Sequence, residues 1–259
     1  MGMFFEEHAK LLSDFARVSQ STGARADYVQ GGGGNTSVKL PGGLMAIKAS
    51  GFCLSDIRPD KAYAVLDGAD LRNFYLTTDP SALADVEKEG SARAKADVRH
   101  IDGLADLRPS VEAGFHSILK TFVVHTHSVY ANLAACSTAC RPIAAQAFAG
   151  ANYTWGWVPY TDPGANLTFA IRDELRRVEK ETGKVPSVIL MQNHGIIVHD
   201  DDPVGVLRLG HMVGDMHHGD APLPVQPVNG VQHLPAAGGV QHGRGLVQDD
   251  ALRLHGDDA

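Results

Sequence analysis

Two short apolar runs, each interrupted by histidine, constrain the fold of this chain more than any other feature. Residues 122–127 read FVVHTH, and residues 185–199 read VPSVILMQNHGIIVH. Short runs rich in Val and Ile are typical of buried β-strands, and Asn193-His194-Gly195 predicts a turn between two of them. Imidazole rings at the ends of such runs are expected to have a polar partner or a metal ion, because burying an unpaired polar group is costly.

Segments with strand or helix character surround these runs without a regular order. The sequence predicts a β-hairpin around the turn at residues 41–43 and another strand at residues 62–67. Helical spacing or helix-start signals mark residues 3–20, 80–100, 110–120, 128–137, 163–182 and 202–216. Because strands and helices do not alternate as in a doubly wound fold, we expect one α/β domain with a largely antiparallel sheet.

The histidines of the two runs are predicted to bind a metal ion. Side chains at positions i and i+2 of a strand lie on the same side, so His125 and His127 can reach one ion. His194 adds a third imidazole, and Gly195 leaves room for a close approach. Three neutral imidazoles with an open coordination position are typical of catalytic zinc, and another divalent transition metal is an alternative. The other interpretation is surface or core histidines that share no ligand.

Glu112 is predicted to act beside this metal. Pro109 ends any preceding element and Ser110 is a good N-cap, which puts Glu112 in the first turn of a helix. A carboxylate near zinc is either a fourth ligand or a general base. The alternative is that Glu112 only complements the positive end of the helix dipole.

Small polar loops suggest a binding site for a phosphate group. Glycines and hydroxyl side chains can surround a phosphate with N–H and O–H donors, although each loop alone is also typical of an ordinary turn. The sequence has no Walker loop. The candidate loops are residues 34–37, residues 48–51 and Ser110.

Charge and composition exclude several classes of partner. A net charge of -7 argues against a broad surface that binds nucleic acid. The sequence also lacks a run of about 18 apolar residues, which a membrane-spanning helix would need. The first residues include Glu6 and Glu7, where a signal peptide would be basic. The three cysteines form no C-x-x-C pair. We therefore expect a cytoplasmic protein without structural disulfides.

The last part of the chain differs in composition from the rest. Residues 201–259 contain no Ser, Thr, Glu, Lys, Ile or aromatic residue other than histidine, and they hold six of the 13 histidines. A Gly/Pro/His-rich segment of this kind cannot build a core. The sequence thus predicts a folded domain over residues 1–216 and an atypical tail over residues 217–259, either disordered or translated from a shifted reading frame.

Six motifs together resemble the class II aldolase/adducin family. They occur in the family's order over most of the chain, and they are GGNTSVKL (33–40), IKASG (47–51), RPSVEAGFHSIL (108–119), VVHTHSVYAN (123–132), VPYTDPG (158–164) and ILMQNHGIIV (189–198). The resemblance implies a three-layer α/β/α fold with a central, mainly antiparallel sheet, and a four-fold symmetric tetramer with active sites between subunits.

The resemblance also implies specific roles. It assigns zinc to His125, His127 and His194, acid–base chemistry to Glu112, and a proton-donating role across a subunit boundary to Tyr160. It places phosphate binding at Asn35, Ser37, Ser50, Gly51 and Ser110. The implied function is a zinc-dependent aldolase that cleaves a ketose phosphate through a metal-stabilised enediolate.

Three alternatives stay open at this point. Two are sibling reactions of the same family, epimerisation and decarboxylation, and the third is a non-catalytic adducin-like interaction module. Such modules lack the metal histidines, so the intact set of three argues against the third. One departure matters for the substrate: fuculose-phosphate aldolases have a serine where this chain has Val111, which removes one phosphate donor.

Overall fold

A computed structural model describes residues 2–214 of the chain. The tail predicted over residues 217–259, and the domain boundary proposed at residue 216, lie outside the described residues.

Within this part of the chain, eight strands form a single sheet with the order β4-β3-β2-β1-β5-β8-β7-β6. Every neighbouring pair is antiparallel except β6 and β7, which are parallel. The predicted antiparallel sheet, including the hairpin of β1 and β2, is confirmed. The strands are β1 (Asn35–Lys39), β2 (Leu44–Lys48), β3 (Tyr63–Asp67), β4 (Val98–Arg99), β5 (Phe122–Thr126), β6 (Trp155–Val158), β7 (Val188–Met191) and β8 (Gly195–Asp200).

Helices cover both faces of the sheet. None in the described residues is long and apolar enough to cross a membrane. Short 3₁₀ turns occur at Pro41–Gly43, Leu54–Asp56 and Pro80–Ala82. The α-helices are α1 (Met3–Glu7), α2 (Ala9–Gly23), α3 (Gly68–Thr77), α4 (Val86–Ala96), α5 (Ala113–Ile118), α6 (Val129–Ala135), α7 (Cys140–Ala147), α8 (Ala165–Thr182) and α9 (Pro203–Gly214).

Alternating side chains of the strands divide the core into two halves. Along β5, Val124 packs into one half with helices α2, α6 and α9, whereas Val123 packs into the other with α3, α5 and α8. The same alternation occurs along β8, where Val198 and Ile197 point to opposite faces. Helices on both faces of a mainly antiparallel sheet make the three-layer α/β/α arrangement, which confirms the predicted fold class.

The register of the central strands places the polar side chain of His125 on the face of the sheet that α5 covers. Asn35 in β1 is paired with His125 in β5, and His125 is paired with Ile197 in β8. His125 is two residues from Val123, so it lies on the same face as the α5 side of the core. Its ring meets the ring of Phe115 edge-on, with the centroids 5.8 Å apart.

The predicted start of the helix after Pro109 is wrong. Helix α5 begins at Ala113, with Glu112 at the N-cap position and no hydrogen bond from a capping side chain there. Residues 109–110 instead extend beside the end of β2: Ala49 and Pro109 form a β-bridge, and the Ser110 N–H donates to the Lys48 carbonyl at 3.2 Å. The Ser110 hydroxyl still accepts the Glu112 N–H at 3.3 Å, so Ser110 bonds to the turn that precedes α5 while its own N–H pairs with β2.

Candidate metal and acid–base site

The three histidines predicted as metal ligands converge at one point. One nitrogen from each of His125, His127 and His194 lies within 4.8 Å of the other two. The ring centroids are 4.9 Å apart for His125–His127 and for His125–His194, and 5.3 Å apart for His127–His194. Such a cluster can place three nitrogen ligands around a single ion.

Strand ends and a tight turn position these rings. His125 is the penultimate residue of β5, and His127 follows the end of that strand. His194 lies in the turn between β7 and β8, where Asn193 adopts a left-handed backbone with φ of 53°. Because β5 and β8 are neighbours, this turn brings His194 to the end of β5.

Gly195 makes the convergence sterically possible. A Cβ atom at this position would lie 2.3 Å from the Thr126 carbonyl oxygen and 3.2 Å from ring carbons of both His125 and His127. The predicted close approach at Gly195 is confirmed: the backbone of β5 and the two imidazoles occupy the space that a side chain at this position would need.

Burial keeps two of the rings in the form that binds metals. It lowers the pKa of His125 to about 3, and it also lowers the pKa of His127 below the ordinary value. A histidine with a lowered pKa is neutral at pH 7 and presents a lone pair rather than a second N–H. No proton has to be displaced from these two rings for a cation to bind.

The hydrogen bond of His125 fixes which nitrogen faces the cluster. Its Nδ1 lies 3.1 Å from the Ile196 carbonyl oxygen, which only accepts, so Nδ1 carries the proton. Its Nε2 therefore directs a lone pair toward Nε2 of His127, 3.1 Å away. A backbone carbonyl behind a ring and a lone pair directed into the cluster are typical of a metal-binding histidine. The residues present fit a zinc ion.

Glu112 lies beside this cluster and is 5% exposed. One carboxylate oxygen is 3.2 Å from Nε2 of His194, and the other is 3.6 Å from Nε2 of His125. Burial raises the pKa of Glu112, but His125, His194 and the Asn35 amide lower it by more, so the net pKa lies below its usual range. Glu112 is therefore an ionised carboxylate in contact with the histidine cluster.

A series of buried polar side chains, hydrogen-bonded one to the next, leads to Glu112 from the side of α5. The Asn35 side-chain amide donates to Glu112 at 2.6 Å and to the Ser110 hydroxyl at 3.2 Å. The Asn35 carbonyl oxygen is hydrogen-bonded to Nε2 of His116, whose Nδ1 is 2.8 Å from the Ser37 hydroxyl. The sequence interpretation overlooked His116. Its signal was a histidine one helical turn after Glu112, in an otherwise apolar segment.

Two of the predicted phosphate-binding residues are thus used inside the protein. Ser37 is 1% exposed and Asn35 is 5% exposed, and both bond to buried neighbours. The strand pairing that buries these side chains could not be inferred from the loop composition.

The other three predicted phosphate-binding residues lie on two adjoining segments. Ser50 donates its N–H to the Arg108 carbonyl at 2.8 Å, next to the bridge between Ala49 and Pro109. Gly51 has φ of 89°, a conformation that favours glycine. The Arg108 guanidinium is 3.4 Å from the Ser50 hydroxyl, a cation that the sequence interpretation left without a role. We call Ser50, Gly51, Arg108 and Ser110 the rim. An open cavity of about 690 Å³ adjoins the rim, and its lining includes Arg108, Ser110, Val111 and Lys95.

Tyr160 lies on the exposed loop between β6 and α8. Its side chain is 44% exposed, and its hydroxyl is 2.8 Å from a carboxylate oxygen of Asp162. The Tyr160 N–H donates to the side chain of Gln192, two residues before His194. The loop is therefore tied to the same turn that carries the third histidine.

A protein-family model identifies the fold and motifs together. The model described as the Class II Aldolase and Adducin N-terminal domain matches residues 13–211. The chain belongs to the class II aldolase/adducin family. No curated protein matches it significantly in sequence.

Solved structures of class II aldolase-like proteins share the fold at low sequence identity. The N-terminal class II aldolase domain of a Thermoplasma acidophilum protein is 19% identical, with a TM-score of 0.63 over 78% of this chain and 90% of that chain. A sugar-phosphate aldolase from Thermotoga maritima is 13% identical, with a TM-score of 0.53 over 80% and 92%.

A third neighbour comes from Escherichia coli, and its description leaves its reaction open among aldolase, epimerase and decarboxylase. It is 19% identical, with a TM-score of 0.52 over 82% of this chain and 91% of that chain. At these identities the likeness establishes the class II aldolase fold.

Proposed function

We propose that this class II aldolase/adducin family member is a zinc-dependent aldolase that cleaves a ketose phosphate. The observation that carries this proposal is the contact between an ionised, buried Glu112 and a cluster of three histidines, His125, His127 and His194. An interaction module would have no use for a buried carboxylate beside clustered imidazoles, because such groups are costly to desolvate.

The proposed reaction is a retro-aldol cleavage. In a ketose 1-phosphate, the hydroxyl at C4 loses its proton, the C3–C4 bond breaks, and C3 gains a proton. The products are an aldehyde and dihydroxyacetone phosphate. A zinc ion held by His125, His127 and His194 would act as a Lewis acid that stabilises negative charge on the substrate oxygens.

Glu112 is the proposed acid–base group at C3. In the cleavage direction its ionised carboxylate accepts the proton that the C4 hydroxyl loses and returns that proton to C3, and the Asn35 N–H at 2.6 Å holds one oxygen in place. Glu112 is enclosed by protein, which limits exchange of that proton with bulk water.

Tyr160 is the proposed partner of the oxygen at C4. A tyrosine has an ordinary pKa near 10 and keeps its proton at neutral pH, and the bond to Asp162 raises the pKa of Tyr160 further. A protonated hydroxyl can donate to the alkoxide in the direction of aldol addition. Because Tyr160 is on an exposed loop, we propose that it serves the site of a neighbouring copy in a homo-oligomer, with a tetramer favoured by the family.

A phosphorylated sugar is the proposed substrate class. Ser50, Gly51 and Ser110 lie on adjoining segments, and the Arg108 guanidinium beside Ser50 supplies a positive charge for an anion. The Thermotoga maritima neighbour is named as a sugar-phosphate aldolase, which supports the same class. The three free cysteines support a cytoplasmic location as part of this proposal.

The second candidate is epimerisation or decarboxylation of a related sugar. Metal ligands and one carboxylate also suffice for these reactions, and the Escherichia coli neighbour is described with all three possibilities. These candidates share the zinc site and Glu112, so they differ from the aldolase only in the bond that breaks.

The test is a product assay with the zinc-loaded protein. A panel of five- and six-carbon ketose 1-phosphates is incubated with it, and dihydroxyacetone phosphate, epimerised sugar and carbon dioxide are measured in parallel. We expect dihydroxyacetone phosphate, and we expect its release to stop when zinc is removed with a chelator and to resume when zinc is restored. Carbon dioxide or an epimer without triose phosphate would reject the aldolase in favour of the second candidate.

A further inference from the structure

We infer that His116 is a positioning residue that holds the acid–base group Glu112 through Asn35. His116 bonds to Asn35 and Ser37, and the inference rests on the proposed role of Glu112. It assigns a function to a fully buried histidine in α5, with 0% exposure.

The protonation of each group follows from its neighbours. The side-chain nitrogen of Asn35 donates to a Glu112 carboxylate oxygen at 2.6 Å and to the Ser110 hydroxyl at 3.2 Å. The other end of the Asn35 side chain is then the carbonyl oxygen, and it faces Nε2 of His116. An oxygen acceptor requires a donor opposite, so Nε2 of His116 carries the proton.

The far side of the ring completes the chain. A neutral imidazole with its proton on Nε2 accepts at Nδ1, and the Ser37 hydroxyl is 2.8 Å from that nitrogen. Burial and the charge of Lys39 lower the pKa of His116 well below its usual range, which keeps the ring neutral. The proton order therefore runs in one direction, from Ser37 to His116 to Asn35 to Glu112.

Asn35 links His116 to Glu112 through hydrogen bonds at both ends of its side-chain amide. One N–H of its amide goes to Glu112 and the other to the Ser110 hydroxyl at 3.2 Å. If the amide rotated by 180°, its oxygen would face the Glu112 carboxylate, and both atoms would be acceptors. The Nε2 proton of His116 opposes that rotation, because it would then face an NH₂ group. His116 thereby selects the amide orientation that holds both Glu112 and Ser110.

Packing alone does not require these nitrogens. The His116 ring stacks on Phe115, with centroids 4.7 Å apart and an interplanar angle of 23°. A phenyl ring could keep that stacking, but it would bond to neither the Asn35 carbonyl oxygen nor the Ser37 hydroxyl. The nitrogens are accounted for by their two hydrogen bonds, and one of these leads to Glu112.

The test compares two substitutions at position 116 with a control elsewhere. His116→Gln keeps an N–H donor near the position of Nε2, whereas His116→Phe keeps the ring and removes both nitrogens. His199→Phe is the matched control, because His199 is also buried at 1% exposure, and its Nδ1 accepts a backbone N–H from Lys120 at 3.4 Å, outside the site. All variants are loaded with zinc, and metal content and thermal unfolding are measured for each.

The kinetic measurement is kcat for cleavage of the best ketose phosphate of the panel. We expect His116→Phe to lower kcat by about 10- to 100-fold, the usual effect of removing a group that orients a metal-site residue. His116→Gln should recover most of this loss, and His199→Phe should change kcat little. His116→Phe should add little to the loss already caused by Asn35→Ala, because the two residues act through one chain.

A second measurement does not depend on any reaction. In zinc-loaded protein labelled with ¹⁵N-histidine, the signal that disappears in His116→Gln should have the chemical shifts of the neutral tautomer protonated at Nε2. An Nδ1-protonated or doubly protonated ring at position 116 would overturn the inference even if no substrate is found. A missing cleavage activity in the unmodified protein would instead reject the proposed function and leave this result standing.

The kinetic outcomes that overturn the inference are equally definite. One is a folded, zinc-loaded His116→Phe variant with unchanged kcat. The others are equal losses in His116→Phe and His116→Gln, and fully additive losses in the double variant with Asn35→Ala. If His116→Phe does not fold, His116→Gln and the tautomer measurement still decide the question.

Discussion

The proposed base and the proposed acid of this class II aldolase-family protein lie in contrasting surroundings. Glu112 is 5% exposed, is held by Asn35 at 2.6 Å, and touches His125 and His194. Tyr160 is 44% exposed on a loop, and its hydroxyl bonds to Asp162 two residues away.

This difference in surroundings indicates which groups of the proposed site a single chain can position without a second subunit. The position of Glu112 depends on three neighbouring strands and a helix end, so the fold holds it in one place. Tyr160 lies on a loop whose backbone is bonded to Gln192, and its side chain is 44% exposed and within reach of another molecule. We therefore expect the metal and the base to be properties of the single chain and the acid to be a property of the assembly.

The largest effect should come from the metal cluster. His127→Ala removes one of three ligands and should abolish both bound zinc and activity, because two imidazoles leave the ion mostly solvated. Metal analysis of the purified variant measures this loss. His100→Ala is the control, since His100 is an exposed histidine bonded to Asp106 and should leave zinc unchanged. A stoichiometric ion in His127→Ala would disprove the assigned site.

The next largest effect concerns the buried base. Glu112→Gln keeps the size of the side chain and removes its ability to take a proton, so kcat should fall by about 10² to 10⁴-fold with zinc retained. Steady-state kinetics and metal analysis test both statements. Glu179→Gln, which changes an exposed glutamate on α8, should have no such effect. Near-normal turnover in Glu112→Gln would remove Glu112 from the mechanism.

The exposed acid should give a smaller loss without a cost in stability. Tyr160→Phe removes only a hydroxyl, and we expect kcat to fall by about 10²-fold, the lower end for an acid–base group. Because the side chain is exposed, the free energy of unfolding should change by less than about 0.5 kcal/mol. Kinetics and denaturant titration on one preparation measure both. An unchanged kcat would assign Tyr160 to its loop alone.

Mixing two inactive variants tests whether Tyr160 and Glu112 of one active site come from the same subunit or from two. If Tyr160 serves a neighbouring copy, equal mixing of Tyr160→Phe and Glu112→Gln subunits should restore about a quarter of the sites, since random assembly pairs intact groups at that frequency. The measurement is activity after subunit exchange, with exchange followed by mass labelling of one variant. No recovery after demonstrated exchange would place both groups in one chain or exclude Tyr160.

The smallest effect should appear at the rim of the site. Val111 is 70% exposed next to Ser110, and Val111→Ser adds one hydroxyl where fuculose-phosphate aldolases have a serine. One added hydrogen bond of about 1 kcal/mol should lower KM for a phosphorylated substrate by about fivefold. The non-phosphorylated sugar is the control substrate and should show no gain. An equal change for both sugars would indicate that the rim does not bind phosphate.

Local patterns were sufficient to predict most of the elements. The apolar runs around His125 and His194 became β5, β7 and β8, and helical spacing predicted α8. These predictions succeeded because the side-chain periods of strands and helices are local properties of the sequence. The helix after Pro109 is present, but it begins at Ala113 because residues 109–110 pair beside β2, which lies far away in the chain.

The sequence by itself determined the family, the type of fold and the three histidines that meet at one point, because motif, periodicity and residue type were enough for each. Only the tertiary structure decided the roles of Ser37, Asn35 and His116. Ser37 and His116 are 79 residues apart in the chain and 2.8 Å apart in the fold. Which strands become neighbours, and in which register, depends on the whole core rather than on any local segment. That register placed two residues expected to bind phosphate, Asn35 and Ser37, in the hydrogen-bonded chain that leads to Glu112.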